Sequence, residues 1–431
     1  MPTTCRRART SSRSGSVAGP TAGTPFVVAA SLAVCPTGAA AYGGRVPQLT
    51  ALALPDGPGV RAALPDLARA LSGQRPAVPL APAAPSPLEG AEVPPGTALV
   101  LSTSGSTGTP KPAVLPVAAL AASATATHDR LGGPGRWLLA LPAHHVAGVQ
   151  VLARSLAADL EPHAVAPTRG AEAFVRAFTT AEQAMPGPRR YTSLVPTQLA
   201  RLLRDADGTA ALARFDGVLV GGAACPPGLV DAAAAAGARV VRTYGMSETS
   251  GGCVYDGVPL EGVRVRTEPG ERGDAVLLGG PMLASGYLGM PQESARAFVD
   301  IDGQRWFRTG DLGTRDGTRL TVHGRADDLV VTGGYKVAPA VVEDAARGLP
   351  GVTDALAVGL PDAELGQVVG LLVVLETSTG GSDDLREALR PHLPRYALPA
   401  VVTAVGALPL RGPGKPDRRA AAALLEALPR S

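Results

Sequence analysis

Three lysines stand among the chain's 40 basic residues, and each lies in a glycine-rich stretch: Lys111 in STSGSTGTPK, Lys336 in VTGGYK and Lys415 in RGPGK. A lysine ammonium is a compact charge on a thin stem, whereas the arginine fork is broad and planar. A narrow phosphate or carboxylate pocket therefore accepts the first and not the second. Where arginine has taken over the other basic positions, these three mark where to look for chemistry.

Residues 102–111 carry six hydroxyl side chains and two glycines, directly after an apolar run, 97–101, that reads as a strand. Glycines let backbone N–H groups approach phosphate oxygens, hydroxyls donate hydrogen bonds to them, and the closing lysine adds charge, so this loop suits a polyphosphate. It is not a Walker loop, because GSTGTPK lacks the GxxxxGK[ST] spacing and sets a proline before the lysine.

The elements that must position this loop alternate along the chain. Residues 47–71 read as the start of a domain, and a Pro/Ala-rich connector spans 75–95. A helix is predicted over 117–131; WLLALPA precedes a helix over 148–160, YTSLVP one over 198–205, and FDGVLVGG one over 229–236 closed by Gly237, before ARVVRTYG. Such alternation predicts an α/β domain with a parallel sheet. After Gly252, short strands such as RVRTE, DAVLLGG and RLTVHGR predict a β-rich subdomain. Near residues 325–328 the pattern changes again, into a compact α+β tail with helices over 341–349 and 385–393 and a strand at LLVVLE.

Composition bounds the function. The 431 residues suffice for two domains. With 3% aromatic residues, a net charge of +3 and dispersed basic side chains, neither a stacking surface nor a basic stripe for nucleic acid is expected. Cys5, Cys35, Cys225 and Cys253 form no CxxC pair, which argues against a zinc site and a disulfide framework and fits a reducing cytoplasm. FVVAASLAV, 26–34, imitates a signal peptide, but a Gly/Pro/Thr-rich stretch separates it from the basic N-terminus. No 18-residue apolar span follows for stable membrane insertion. Residues 1–46 are expected to be a disordered extension or to precede the true start. Nothing in the sequence fixes an oligomeric state, and a homo-oligomer stays open.

Five motifs in fixed order carry a resemblance: STSGSTGTPK, YGMSET at 244–249, RTGD at 308–311, GRADD at 324–328 and GK at 414–415. Together they resemble the adenylate-forming superfamily of acyl-CoA synthetases, luciferases and peptide-synthetase adenylation domains. Within it, LPAHHVAGVQVLARSL, SLVPTQLARLL and YGMSETSGGCVYDGVPLEGVRVR are similar to the o-succinylbenzoate–CoA ligases of menaquinone biosynthesis in their short actinobacterial form. The resemblance implies a large ATP- and acyl-binding domain, 47–326, joined by a hinge to a small mobile domain, 327–431. It also implies ATP and CoA as substrates and Mg2+ as cofactor.

Residue by residue, the resemblance implies that Thr103, Ser104, Gly105, Ser106, Thr107, Gly108 and Lys111 hold the β- and γ-phosphates of ATP. It gives Thr249 the α-phosphate and Glu248 the magnesium, a hard cation that suits a carboxylate. Asp311 would accept from both ribose hydroxyls and Arg325 would donate to the same sugar. Tyr244 would stack on adenine, with Gly221, Gly222 and Ala223 as the opposite wall. Lys415 would bridge the substrate carboxylate and the α-phosphate during adenylation. Asp327 would be the hinge, and Gly333, Gly334 and Lys336 would face CoA in the second half-reaction. His145 would contact the acyl substrate, and Arg154 would supply the counter-charge for its second carboxylate, since a buried anion needs a partner. Ala147 stands where several relatives carry serine. Ligases for another aryl or acyl acid, adenylation domains loading a carrier protein and a non-enzymatic nucleotide-binding relative are the competing readings.

Overall fold

The computed structural model describes residues 46–103, 110–376, 382–411 and 415–427. Ser104, Gly105, Ser106, Thr107 and Gly108 of the phosphate loop and residues 1–45 therefore lie outside the described residues.

The predicted alternation becomes a seven-stranded sheet in the order Val258–Pro259, Gly251–Tyr255, Val240–Met246, Gly217–Val220, Arg190–Leu194, Arg136–Leu139 and His163–Ala164. From Val240–Met246 to His163–Ala164 every pairing is parallel; the two remaining strands are added antiparallel. Gly217–Val220 is buried along its whole length, as a strand covered on both faces must be. Successive side chains then point to opposite faces, so one strand feeds two cores. Trp137 and Leu139 pack with Leu120 and Leu152 on one face, while Leu138 packs with Phe178, Leu199 and Phe215 on the other. The helices that cover them, Val117–Leu131, Val146–Ala157, Pro196–Leu203 and Pro227–Ala235, fall close to the predicted segments.

A second sheet joins Thr50–Ala53, Ala77–Leu80, Thr97–Ser102, Pro112–Pro116 and Gly286–Tyr287. Here the sequence reading needs correction, because the expected connector over 75–95 contains the internal strand Ala77–Leu80. A proline such as Pro79 donates nothing to a ladder. The strand tolerates it because pairing to Thr97–Ser102 involves Ala77 alone, before the proline is reached.

The expected β-rich unit follows, with Arg264–Glu268, Ala275–Gly279, Gln304–Asp316, Phe298–Ile301 and Arg319–Arg325 around a core of Val276, Leu278 and Phe307. The C-terminal part has its own core, built on Val352–Asp362 and Gly366–Leu375 with the helices Pro339–Arg347 and Arg418–Glu426. Lys415–Pro416 pairs with Leu410–Arg411, which presents Lys415 on a short ladder.

Candidate active site

In an open parallel sheet, ligands are met at the carboxyl ends of the strands, where the loops diverge. Two glycines make this edge possible. A Cβ on Gly221, just after Gly217–Val220, would lie 2.3 Å from Thr243 Oγ1; one on Gly148 would lie 2.1 Å from the Pro142 carbonyl oxygen. Only glycine allows these close approaches, so the 221–223 wall and the start of Val146–Ala157 sit tight against their neighbours. Gln198 fixes two loops at the same edge, donating to the Ala140 carbonyl at 2.7 Å and accepting from the Val195 N–H at 3.0 Å.

The described ends of the phosphate loop close on each other. Thr103 N–H donates to the Lys111 carbonyl at 2.9 Å, and Lys111 N–H donates to Thr103 Oγ1 at 3.3 Å. The Lys111 ammonium lies over the Tyr287 ring, 5.3 Å from its centre. Tyr287 in turn donates its hydroxyl to Glu248 Oε1 at 2.8 Å, so a single tyrosine joins the loop lysine to the motif carboxylate. Sequence reasoning missed this residue. No spacing links Tyr287 to Glu248; a tertiary pairing does.

Glu248 sits in the one-turn helix Ser247–Thr249, buried to 8% exposure. The assignment of Thr249 to the α-phosphate is corrected here. Thr249 is fully buried, and its hydroxyl is spent on its own turn, near the Met246 carbonyl at 3.1 Å, the Gly251 carbonyl at 2.8 Å and the Met246 N–H at 2.9 Å. Ser247, on the other side of the carboxylate, is half-buried and makes no side-chain hydrogen bond among the described residues. It is the hydroxyl of this turn left for a ligand.

Asp311 gathers a second group. The Tyr244 hydroxyl donates to Asp311 Oδ2 at 2.6 Å, and Arg325 Nη1 stands 3.6 Å from Oδ1 while donating to the Thr309 carbonyl at 3.1 Å. Burial raises the Asp311 carboxyl above its ordinary range, against the pull of Tyr244 and Arg325; the Glu248 charge adds to the rise, which places both carboxylates in one electrostatic neighbourhood. Burial, then Asp311, pushes the Tyr244 phenol far up, so it remains a donor. Asp327 lies next along the chain, 3.9 Å from both Arg325 and Arg272.

His145 caps the helix Val146–Ala157 with extended backbone, leaving the helix's first N–H groups facing the same edge. Its ring lies 4.5 Å from that of His144. Burial first, then the charges of His144 and Lys415, hold its pKa below the ordinary value, with Asp56 opposing. The charge of the half-buried Lys415, in the C-terminal part, thus acts on His145 of the N-terminal part. Lys336 and Tyr335 are exposed beyond the turn at Gly333 and Gly334, both glycines at positive φ.

Arg154 does not join them, and its assignment to a substrate carboxylate is also corrected. It sits eight residues past Val146, about 12 Å along a helix rising 1.5 Å per residue. There it is 3% exposed, lies over Trp137 at 5.1 Å and donates weakly to the Tyr255 hydroxyl at 3.5 Å. No carboxylate pairs with it among the described residues, and burial lowers its pKa. This guanidinium belongs to the core beneath the sheet edge.

Residues 61–288 match the family model of AMP-binding enzymes and residues 341–415 match that of the AMP-binding enzyme C-terminal domain. A probable 2-succinylbenzoate–CoA ligase of Mycobacterium tuberculosis is 46% identical over 384 residues, covering 86% of this chain and 97% of the relative. A sulfoacetate–CoA ligase of Cupriavidus necator is 35% identical, covering 80% of this chain and 70% of the relative. Among solved structures, the o-succinylbenzoate CoA synthetase from Bacillus subtilis in complex with the acyl-adenylate intermediate OSB-AMP superposes with a TM-score of 0.69 at 22% identity. It covers 88% of this chain and 89% of that one, a likeness of fold.

Proposed function

Because the chain belongs to the AMP-binding enzyme family, we infer that it is an acid–thiol ligase that joins 2-succinylbenzoate to CoA at the expense of ATP, forming AMP and pyrophosphate. The observation that carries this reading is the gathering of Lys111, Glu248 and the Asp311–Tyr244–Arg325 group, linked through Tyr287 and Tyr244.

In this reading the substrate carboxylate attacks the α-phosphorus of ATP and expels pyrophosphate, giving the acyl-adenylate. The CoA thiolate then attacks the activated carbonyl and expels AMP. Neither step uses a protein nucleophile, so positioning and charge neutralisation carry the catalysis. Lys111 neutralises the leaving phosphates, Asp311 and Arg325 hold the ribose, and Tyr244 borders the adenine opposite Gly221, Gly222 and Ala223. Ser247, in place of Thr249, gives its hydroxyl to the α-phosphate. Lys415 stabilises the charge that develops between carboxylate and phosphate, a contribution of about 3 kcal/mol for a comparable donor.

Magnesium would arrive with ATP. No cluster of three or more His, Cys, Asp or Glu gathers among the described residues. A single buried carboxylate with one oxygen committed to Tyr287 still suits an ion that keeps its waters and takes most ligands from phosphate. When bound, the ion withdraws charge from the phosphate oxygens. Glu248 would hold it there.

The small domain would span 327–431, with Asp327 as hinge. Rotation there would withdraw Lys415 and turn Gly333, Gly334 and Lys336 toward CoA. The use of ATP and CoA favours the cytoplasm, and among the described residues no helix is long and apolar enough to cross a membrane.

The acid is what distinguishes this reading from the one suggested by the name of the second relative, a sulfoacetate–CoA ligase. Pyrophosphate release measured across a panel of 2-succinylbenzoate, benzoate, sulfoacetate and a fatty acid tests it. Turnover dependent on 2-succinylbenzoate above the others is expected. Turnover with another acid and none with 2-succinylbenzoate contradicts the substrate and leaves the ligase class standing.

A further inference from the structure

Tyr287 is 7% exposed and locked on every side. Its strand pairs Tyr287 with Ala113 and Gly286 with Val114, which ties it to the residues just after Lys111. Its N–H donates to Ser294 Oγ at 2.8 Å, and its ring meets Phe298 edge-on at 5.7 Å. Three residues earlier, Ala284 N–H donates to the Glu248 carbonyl at 2.8 Å, so the same segment grips Glu248 through backbone and side chain together. Packing alone would be served equally by phenylalanine. A buried hydroxyl costs free energy unless it is paired, and its partner here is the motif carboxylate.

We propose that Tyr287 is a positioning residue that sets the two charged sides of the nucleotide site together. Its hydroxyl fixes Glu248 Oε1, which would leave Oε2 to hold the divalent cation of ATP, and its ring face carries the Lys111 ammonium. The proposal rests on the ligase reading above, through the role given there to Glu248.

Binding of α,β-methylene-ATP to the full chain, followed by calorimetry with and without Mg2+ and without any acid, tests it. Tyr287→Phe should weaken the Mg2+-loaded analogue by about 10- to 100-fold, the range seen when a partner orienting a metal-holding group is lost. The metal-free analogue should be nearly unaffected. Glu248→Gln should show the same loss, and the double variant no further loss. Tyr287→Leu, which also removes the ring, should weaken the metal-free complex as well. Melting temperatures taken alongside separate these effects from loss of fold, and the Glu248→Gln background supplies a second reading.

Equal weakening of both nucleotide forms by Tyr287→Phe, Mg2+-loaded binding within about twofold of wild type, or additive losses in the double variant would each overturn the hydroxyl's role. Identical behaviour of the Phe and Leu variants would overturn the ring's. A wild-type chain that binds neither form overturns the ligase reading itself, and this proposal with it.

Discussion

Two hydroxyls flank Glu248, and only depth tells them apart. Spacing alone places Ser247 and Thr249 equally near the carboxylate, so the sequence offered no reason to choose between them. In the fold, Thr249 closes its own turn while Ser247 makes no side-chain hydrogen bond among the described residues. Ser247→Ala is therefore expected to lower the rate of adenylation about tenfold with the melting temperature unchanged. Thr249→Val should instead destabilise the fold by about 1 to 3 kcal/mol, the cost of leaving buried backbone groups without a partner. Steady-state kinetics beside thermal unfolding of both variants checks this. The reverse pattern would return the phosphate contact to Thr249. The sequence singled out Lys111 and Asp311 at this scale, and each has an aromatic partner in the fold, Tyr287 and Tyr244. Tyr287 was not singled out, since its two partners come from distant parts of the chain.

Elements were legible where their period was clean. The helix over 117–131 was predicted with the bounds it has, and the strand at 97–101 gains one residue. The strand Ala77–Leu80 was hidden by prolines, because a proline signals a missing donor without saying whether that donor is needed. The helix Val146–Ala157 was found, but the depth of each residue along it was not, and so Arg154 was given a substrate that the helix carries it away from. This leaves a buried guanidinium over Trp137 with no carboxylate partner among the described residues, an arrangement that apolar replacement often improves. Arg154→Met should leave the KM for the acid unchanged and hold or raise the unfolding free energy in a denaturant titration. A large rise in that KM with kcat preserved would put Arg154 back at the substrate.

At the scale of the whole molecule, the account depends on a C-terminal part that brings one lysine to a site built by the rest of the chain. The C-terminal part carries its own cores, and its links to the large part include the exposed pairs that Asp327 makes with Arg272 and Arg325. Exposed pairs of this kind contribute little, about 0 to 1 kcal/mol each, so they do not oppose rotation at the proposed hinge. The change from an α/β pattern to short strands and then to an α+β tail was readable because each class has its own hydrophobic period. That the Lys415 charge is felt at His145 was not readable, because it depends on how two separately folded parts meet. The central claim is that Lys415 serves adenylation and then withdraws. The most direct test is to measure the two half-reactions separately in Lys415→Ala: pyrophosphate release from ATP and acid, and CoA ester formation from supplied acyl-adenylate. The account predicts that the first falls about 100- to 1,000-fold while the second stays close to wild type. Equal loss of both, or an unimpaired first step, would contradict it.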